Sequence, residues 1–377
     1  MAHSTTNTLI LIPDISGFSS FVNEVAISHS EHMVRELLEI IIKCNTLNFK
    51  VSEIEGDAVL FYKQGELPEP EQMLEMVKNT FIKFQEHLLL YERNRICQCG
   101  ACRTAHELTL KVVADYGETS NMTVGKHRKL VGPALIGAHR LLKNNVPSRE
   151  YFLLSENYLQ EYPIAQWNTN EDWLHWQEGY YEYDIGKVPY CYTELSPLRQ
   201  KIRKPEERQM EFSVKYPLIL SKKINVPYLE AFQVLNDSAQ KEHWVRGVQK
   251  VVQQSQEEIQ RIGSKHLCVF PGRQMEFEVN YKREKKDELE FMEVLQKLEP
   301  LKNVAMLFRS KKLSPEQCKV MVEIHYDAPV LLRPFKWILL LFARWNMGKS
   351  LSMLKTYLES GRAKTKARER EKKPQIQ

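Results

Sequence analysis

Two aspartates are the residues best placed to carry out chemistry. Asp14 follows the apolar run Leu9–Ile12, and Asp57 lies in the stretch KVSEIEGDAVLFY. Each is at a point where a β-strand is expected to break. Taken alone, either residue is better interpreted as a turn residue that caps a strand end. Together, two carboxylates on neighbouring strand ends can bind hard divalent ions, which drive in-line chemistry on phosphate.

The elements that must position these aspartates alternate between strand and helix. Strands are expected at residues 9–12, 47–54, 58–62, 108–116 and 151–154, and helices at 30–44, 71–91 and 133–142. The order strand, helix, strand, strand, helix, strand is typical of a ferredoxin-like domain. We therefore predict an α+β chain whose first domain covers residues 1–195.

Three segments resemble the signatures of class III nucleotidyl cyclases. They are Asp14-Ile15-Ser16-Gly17-Phe18, Glu53-Ile54-Glu55-Gly56-Asp57, and Val131-Gly132-Pro133 leading to Arg140-Leu141. The resemblance, over residues 8 to about 195, implies two Mg²⁺ or Mn²⁺ ions held by Asp14, Asp57 and the backbone carbonyl of Ile15. It also implies a nucleoside triphosphate substrate, a 3′,5′-cyclic nucleotide product with pyrophosphate, and a site formed across a two-fold homodimer.

The resemblance assigns further residues to the nucleotide. Glu53 and Lys129 stand where the family selects the base, but they could equally form a surface ion pair. Arg140 stands where the family neutralises the α-phosphate in the transition state. Lys187 lies near the family's phosphate lysine, but the alignment slips by one residue, and a structural role is the better interpretation.

Ile136 stands where the family has an asparagine that donates to the ribose oxygen. An isoleucine has no hydrogen to donate, so two functions stay open. One is an active cyclase, which the retained aspartates and Arg140 favour. The other is a catalytically inactive nucleotide-binding sensor or scaffold. A third, weaker hypothesis is a lipid carrier that uses its first half only to dimerise.

A cysteine-rich insertion is expected at residues 95–107. Cys97, Cys99, Cys102 and His106 provide three thiols and an imidazole, a set that suits a structural Zn²⁺ ion. His106 is the weakest member. Redox chemistry, or a ligand from a partner subunit, are alternatives. A similar cluster occurs in a bacterial group of cyclase-like proteins of unknown function.

A charged, proline-bearing linker is expected at residues 196–210, followed by a second domain at 211–360. The run Asn225–Phe232, with Leu235–Asp237, Trp244 and the closing segment Lys349–Glu359, resembles START-like (SRPBCC) helix-grip domains. That resemblance implies a sheet curled around a long C-terminal helix, with either an apolar ligand cavity or a filled core. The apolar run Trp337–Trp345 could line the cavity mouth or touch a membrane, but we expect it to be buried.

Composition indicates the class of protein and the compartment to be expected. Residues 361–377 hold seven Lys or Arg and two Glu, which accounts for the net charge of +5, so we expect a solvated, disordered basic tail without a nucleic-acid partner. No apolar stretch is long enough to span a membrane, and no signal peptide is seen. The odd number of cysteines, seven, argues against a disulfide framework. A cytoplasmic protein is expected.

Overall fold

The structure is a computed structural model that describes residues 5–18, 21, 27–98, 103–167, 171–183, 186–203, 217–254, 261–296, 302–327 and 336–361. The chain divides into two compact units. The first comprises Met1–Glu24, Ser30–Leu90 and Thr104–Pro205, and the second comprises Val25–His29, Tyr91–Arg103 and Glu206–Gln377.

The first half of the chain alternates strands and helices, as its hydrophobic pattern predicts. Its strands are β1 (Thr6–Ser16), β2 (Lys50–Glu55), β3 (Ala58–Gln64), β4 (Thr109–Val124), β5 (His127–Val131), β6 (Tyr151–Ser155), β7 (Gln177–Tyr183) and β8 (Gly186–Glu194). Its α-helices are α1 (Ile27–Lys43), α2 (Pro70–Asn94), α3 (Pro133–Leu141) and α4 (Glu156–Glu161). A 3₁₀ turn, Ser196–Lys201, begins the segment expected to be a linker.

These eight strands form one sheet in the order β2-β3-β1-β4-β6-β8-β7, with β5 paired to β4. The pairs β2–β3, β3–β1 and β1–β4 are antiparallel, whereas β4 and β6 are parallel. Strands β1 to β4 therefore have the order and connections of a ferredoxin-like unit. The prediction of a mixed α+β chain is confirmed.

Helix α3 packs on β1 and β4 and covers one face of the sheet there. Apolar side chains that β1 and β3 present to it, including Ile10, Ile12 and Leu60, form a cluster with Ala134 and Ala138 of the helix. Gly132 begins this helix with a φ of +145°, and a Cβ there would lie 2.5 Å from the carbonyl oxygen of Glu118. Only glycine fits this position without displacing the backbone of β4.

The second half of the chain forms a separate antiparallel sheet. Its strands are β9 (Leu218–Ile224), β10 (Lys250–Gln253), β11 (Lys265–Phe270), β12 (Arg273–Lys285), β13 (Glu288–Leu295), β14 (Lys302–Ser314) and β15 (Gln317–Asp327), in the order β10-β11-β12-β13-β14-β15-β9. Its α-helices are α5 (Tyr228–Asn236), α6 (Lys241–Trp244) and α7 (Lys336–Glu359). From β10 to β15 each strand pairs antiparallel with its neighbour in sequence, whereas β9 pairs with β15 at the far edge of the sheet.

Helix α7 packs on β9 and α6, and its C-terminal half contributes Leu351, Leu354 and Leu358 to the core of the second unit. That core includes Trp244 and the stacked pair Phe291 and Phe308, whose ring centroids are 5.1 Å apart. The expectation that Trp337–Trp345 is buried is wrong. Trp337 and Phe342 are 62% and 60% exposed because this half of α7 is apolar around most of its circumference.

An insertion in the first domain was expected at residues 95–107, but the segment Tyr91–Arg103 belongs to the second unit by its contacts, and only the part from Thr104 onward belongs to the first. Ile96 packs in the core of that unit, and the Gln98 side chain donates to Glu284 at 2.7 Å. No helix in the described parts of the chain has the length and apolar content needed to cross a bilayer.

Candidate functional site

The turn between β2 and β3 places Asp57 beside Asp14. Residues Gly56 and Asp57 form a two-residue hairpin turn between the paired Glu55 and Ala58, and Gly56 has the positive φ of +62° that such a turn requires. Ala58 in turn lies opposite Asp14 on β1. The backbone N–H of Ile15 donates to the Asp57 carbonyl at 3.1 Å, which fixes the two segments together.

The electrostatics of this corner show that the two carboxyl groups interact. Burial, and then the charge of Asp14, raise the pKa of Asp57 to about 6. The Lys111 ammonium, on β4 opposite Asp14, lies 2.9 Å from the Asp14 carboxylate. Burial works to lower the pKa of Lys111, but the charge and hydrogen bond of Asp14, with the nearby Tyr151 and Asp57, together outweigh it, and the pKa is raised overall. Two carboxylates therefore share one cationic partner.

This donor set fits a Mg²⁺ or Mn²⁺ site in its chemistry. Mg²⁺ is commonly held by one or two carboxylates together with phosphate oxygens and water. The described residues contain no group of three or more His, Cys, Asp or Glu side chains arranged to hold a metal ion. A metal at Asp14 and Asp57 would thus need further oxygens, such as the Ile15 carbonyl and the phosphates of a nucleotide.

A separate cavity of about 600 Å³ brings together the residues predicted to contact the nucleotide. Its walls come from β2, β5, the exposed face of α3 and the end of β7. The lining residues are Glu53, Glu55, Lys129, Leu135, Ile136, His139, Arg140, Leu142, Lys143 and Tyr183. Asp14 and Asp57 are not among them.

The polar groups of this cavity include one ion pair, one tyrosine hydroxyl and the Arg140 guanidinium. Glu53 and Lys129 face each other with Oε1 and Nζ 3.5 Å apart, and both are partly exposed. The Tyr183 hydroxyl shares its one hydrogen between the carbonyl oxygens of Arg140 and Lys143, which fixes the end of α3. The Arg140 guanidinium has no hydrogen bond or ion pair among the described residues. It is therefore available to an anion in the cavity.

Ile136 lies one helical turn before Arg140, on the same wall of the cavity, and is 52% exposed. An isoleucine this exposed is not held there by core packing. The position thus faces the cavity as the resemblance implies for the asparagine, but its side chain has no polar atom.

Lys187 belongs neither to the aspartate pair nor to the lining of the cavity. It is exposed on β8, opposite Glu182, and its Nζ lies 4.5 Å above the ring of Tyr180. Residues 184–185, beside it, are outside the described parts of the chain.

The zinc prediction falls mainly outside the described residues, because Cys99 and Cys102 are not among them. Cys97 is buried in the second unit, and His106 is an exposed residue of the 3₁₀ turn Ala105–Glu107.

Sequence reasoning missed two charged residues of β4, Lys111 and Asp115. Asp115 is 1% exposed, accepts from the Tyr116 N–H at 2.9 Å, and has a pKa raised by burial to about 6. Each interrupts an otherwise apolar strand, LKVVADY, at an inward position. That interruption of the alternation is the signal that could have identified them.

Comparisons with known proteins relate the chain to proteins without an assigned role and to cyclase domains. A family model described as a protein of unknown function, DUF2652, matches residues 34–151. An uncharacterized protein of Mycobacterium tuberculosis is 29% identical over 127 residues, which is 32% of this chain and 56% of that protein.

Two solved structures are similar over about half of the chain. One is the catalytic core of a rhodopsin-guanylyl cyclase in complex with ATPαS, at 12% identity and a TM-score of 0.37, covering 51% of this chain and 98% of the other. The second is the adenylyl cyclase CyaB from P. aeruginosa, at 11% identity and a TM-score of 0.37, covering 52% and 97%.

Proposed function

We propose that the first unit binds a nucleoside triphosphate with two divalent metal ions and converts it to a 3′,5′-cyclic nucleotide and pyrophosphate. The observation that carries this proposal is the hairpin turn that sets Asp57 beside Asp14 at neighbouring strand ends. The sequence resemblance to class III nucleotidyl cyclases supplies the reaction. Metal ions bound there would activate the attacking hydroxyl and stabilise the leaving pyrophosphate.

The protein's own groups have distinct tasks in this reaction. Asp14 and Asp57, with the Ile15 carbonyl, hold the metals and so orient the triphosphate. Arg140 neutralises charge that develops on the α-phosphate, as a fixed guanidinium fork does well. Glu53 and Lys129 offer an acceptor and a donor to a base. Because these groups line a cavity without the aspartates, we propose that the site is completed across a homodimer.

We propose further that the second unit is a START-like domain whose cavity binds an apolar ligand and regulates the first unit. An antiparallel sheet beside the long helix α7 and a cavity of about 920 Å³ support this role. Metal-dependent nucleotide binding without turnover is the second candidate function. The exposed Ile136 favours it, because the ribose would lack one donor.

The test is incubation of the full chain with Mn²⁺ and each of ATP, GTP, CTP and UTP, with cyclic products identified by mass spectrometry. We expect a cyclic product from at least one nucleotide, and its loss in Asp57→Ala. Asp172→Ala, at an exposed turn residue, is the matched control and should keep the activity. Mn²⁺-dependent binding of a nucleotide analogue without product would support the sensor instead, and absence of both would refute both functions.

A further inference from the structure

A buried charged cluster adjoins the apolar cavity of the second unit. The cavity, of about 920 Å³, lies between the sheet and the N-terminal half of α7, and its walls include Trp244, Phe277 and Phe308. Lys241, on α6, also lines it although its side chain is only 3% exposed. An ammonium in such surroundings is costly unless it is paired.

Two partners share the Lys241 ammonium. Its Nζ donates to the Glu293 carboxylate and to Nε2 of His266 at 2.8 Å, and neither partner is more than 1% exposed. Accepting this bond requires a neutral imidazole. Burial, followed by the nearby Lys241 charge, lowers the pKa of His266 to about 2, so the ring is neutral at physiological pH. The cluster thus contains one cation and one anion.

Lys241 is the member of this cluster that lines the cavity. An ammonium has three donors, and two of them are used by Glu293 and His266. Its third hydrogen has no hydrogen-bond partner among the described residues, although the Phe277 ring centroid lies 4.9 Å from Nζ. One strong donor of the buried cluster therefore remains beside the cavity.

We infer that Lys241 is the polar anchor for an uncharged lipid whose inner end carries one oxygen, as an alcohol or a ketone. This inference rests on the proposed function of the second unit and names the class of its ligand. Because the cluster has one cation and one anion, it favours a ligand without charge. A carboxylate would place a second anion near Glu293 without a second cation, and an amine would face the Lys241 ammonium.

A carboxylic acid is the competing ligand class, because two arginines also line the cavity. The Arg246 guanidinium lies 3.7 Å from the centroid of the Trp345 ring, and that of Arg273 lies 5.5 Å from the Phe270 ring. Both arginines are exposed, so a headgroup bound to them would stay near solvent. An acid held there would leave the inner donor of Lys241 unused.

The test compares three probes of equal chain length, 1-hexadecanol, hexadecane and hexadecanoic acid. Each is radiolabelled, and its partition between a cyclodextrin and the full-length protein is measured at pH 7.5. A hydrogen bond from a charged donor should make the alcohol bind about ten- to a hundredfold more tightly than the alkane. The acid should bind more weakly than the alcohol.

Two double variants test whether the cluster causes the preference for the alcohol over the alkane. Lys241→Met combined with Glu293→Leu removes both charges together and so leaves no unpaired buried ion. It should bind hexadecane within about twofold of the wild type and lose the preference for the alcohol. The control is Lys265→Met with Glu276→Leu, a half-exposed pair 3.8 Å apart on the same sheet, which should keep the preference.

Each outcome is decisive. Equal binding of alcohol and alkane by the wild type, or a preference that survives the double substitution, refutes Lys241 as the anchor. Tighter binding of the acid refutes the uncharged class. If the double variant does not fold, the three wild-type affinities still decide the ligand class. Failure of all three probes to bind would also remove the apolar ligand from the proposed function, while the nucleotide assays of the first unit would be unaffected.

Discussion

Ile136 is the residue that separates the two candidate functions of the first unit. It lies on the cavity wall of α3, one turn before Arg140, and has no donor for a ribose oxygen. If the first unit is a cyclase that lacks this donor, Ile136→Asn should raise the turnover number by about 10²–10³. The measurement is the initial rate of cyclic product with Mn²⁺ and saturating nucleotide.

Ile136→Val is the matched control for this substitution, since it changes the side-chain volume without adding a donor. Because Ile136 is 52% exposed, neither substitution should alter the thermal midpoint appreciably. An asparagine variant that is no faster than the valine variant would show that the missing donor does not limit the rate. The sensor function would then be preferred.

The contact between β4 and α3 includes a buried carboxyl group. Asp115 of β4 lies beneath Gly137 of α3, where any Cβ would collide with the carboxylate. The pKa of Asp115, raised by burial to about 6, lies above its unfolded value of 3.8. The contribution of Asp115 to the free energy of unfolding is therefore fully present below about pH 4, where the carboxyl group is protonated. This contribution is lost as the pH rises through 6.

Asp115→Asn keeps the shape of the side chain and removes this titration. The free energy of unfolding of the variant, relative to wild type, should rise by about 2–3 kcal/mol between pH 4 and pH 7.5. Chemical denaturation at both pH values measures the difference. Asp172→Asn, the same substitution at an exposed turn residue, serves as the control. A flat profile for Asp115→Asn would mean that the carboxyl group is not desolvated.

The alternation of strands and helices could be predicted from the sequence, because the spacing of apolar residues indicates which face of each element is buried. The helix predicted at 133–142, for example, is observed at Pro133–Leu141. Strand β5 was missed because its sequence, HRKLV, has little apolar character, and its pairing with β4 determines it instead. The strands expected at residues 9–12 and 108–116 were likewise shorter than β1 and β4, because the outer residues of these two strands are held mainly by pairing.

Residues of the candidate site could be proposed from the sequence where they belong to a motif, as Asp14, Asp57 and Arg140 do. Lys111 was not, because its importance comes from lying opposite Asp14 on a strand distant in sequence. The same limit applies to Lys241, Glu293 and His266, which belong to three separate elements. Such clusters depend on tertiary contacts that no local pattern encodes. The position of Ile136 beside Arg140, by contrast, was implied by the resemblance to the cyclase signature.

The residues assigned to one reaction lie in two separate groups of the first unit. Asp14 and Asp57 lie at the ends of β1 and the β2–β3 turn, while Arg140, Glu53 and Lys129 line a cavity that does not include them. A two-fold dimer could pair the carboxylates of one protomer with the cavity of its partner, since symmetric contacts place unlike parts of two identical chains together. Each dimer would then have two equivalent composite sites.

This arrangement predicts complementation between two inactive chains. In a dimer of one Asp57→Ala chain and one Arg140→Ala chain, one composite site loses both groups and the other keeps both. A heterodimer isolated through two different affinity tags should therefore have about half the wild-type activity per dimer, or bind one nucleotide analogue where the wild type binds two. Either homodimer alone should be inactive, which provides the control. An inactive heterodimer, with active wild-type dimers prepared in the same way, would show that each site is formed within one chain.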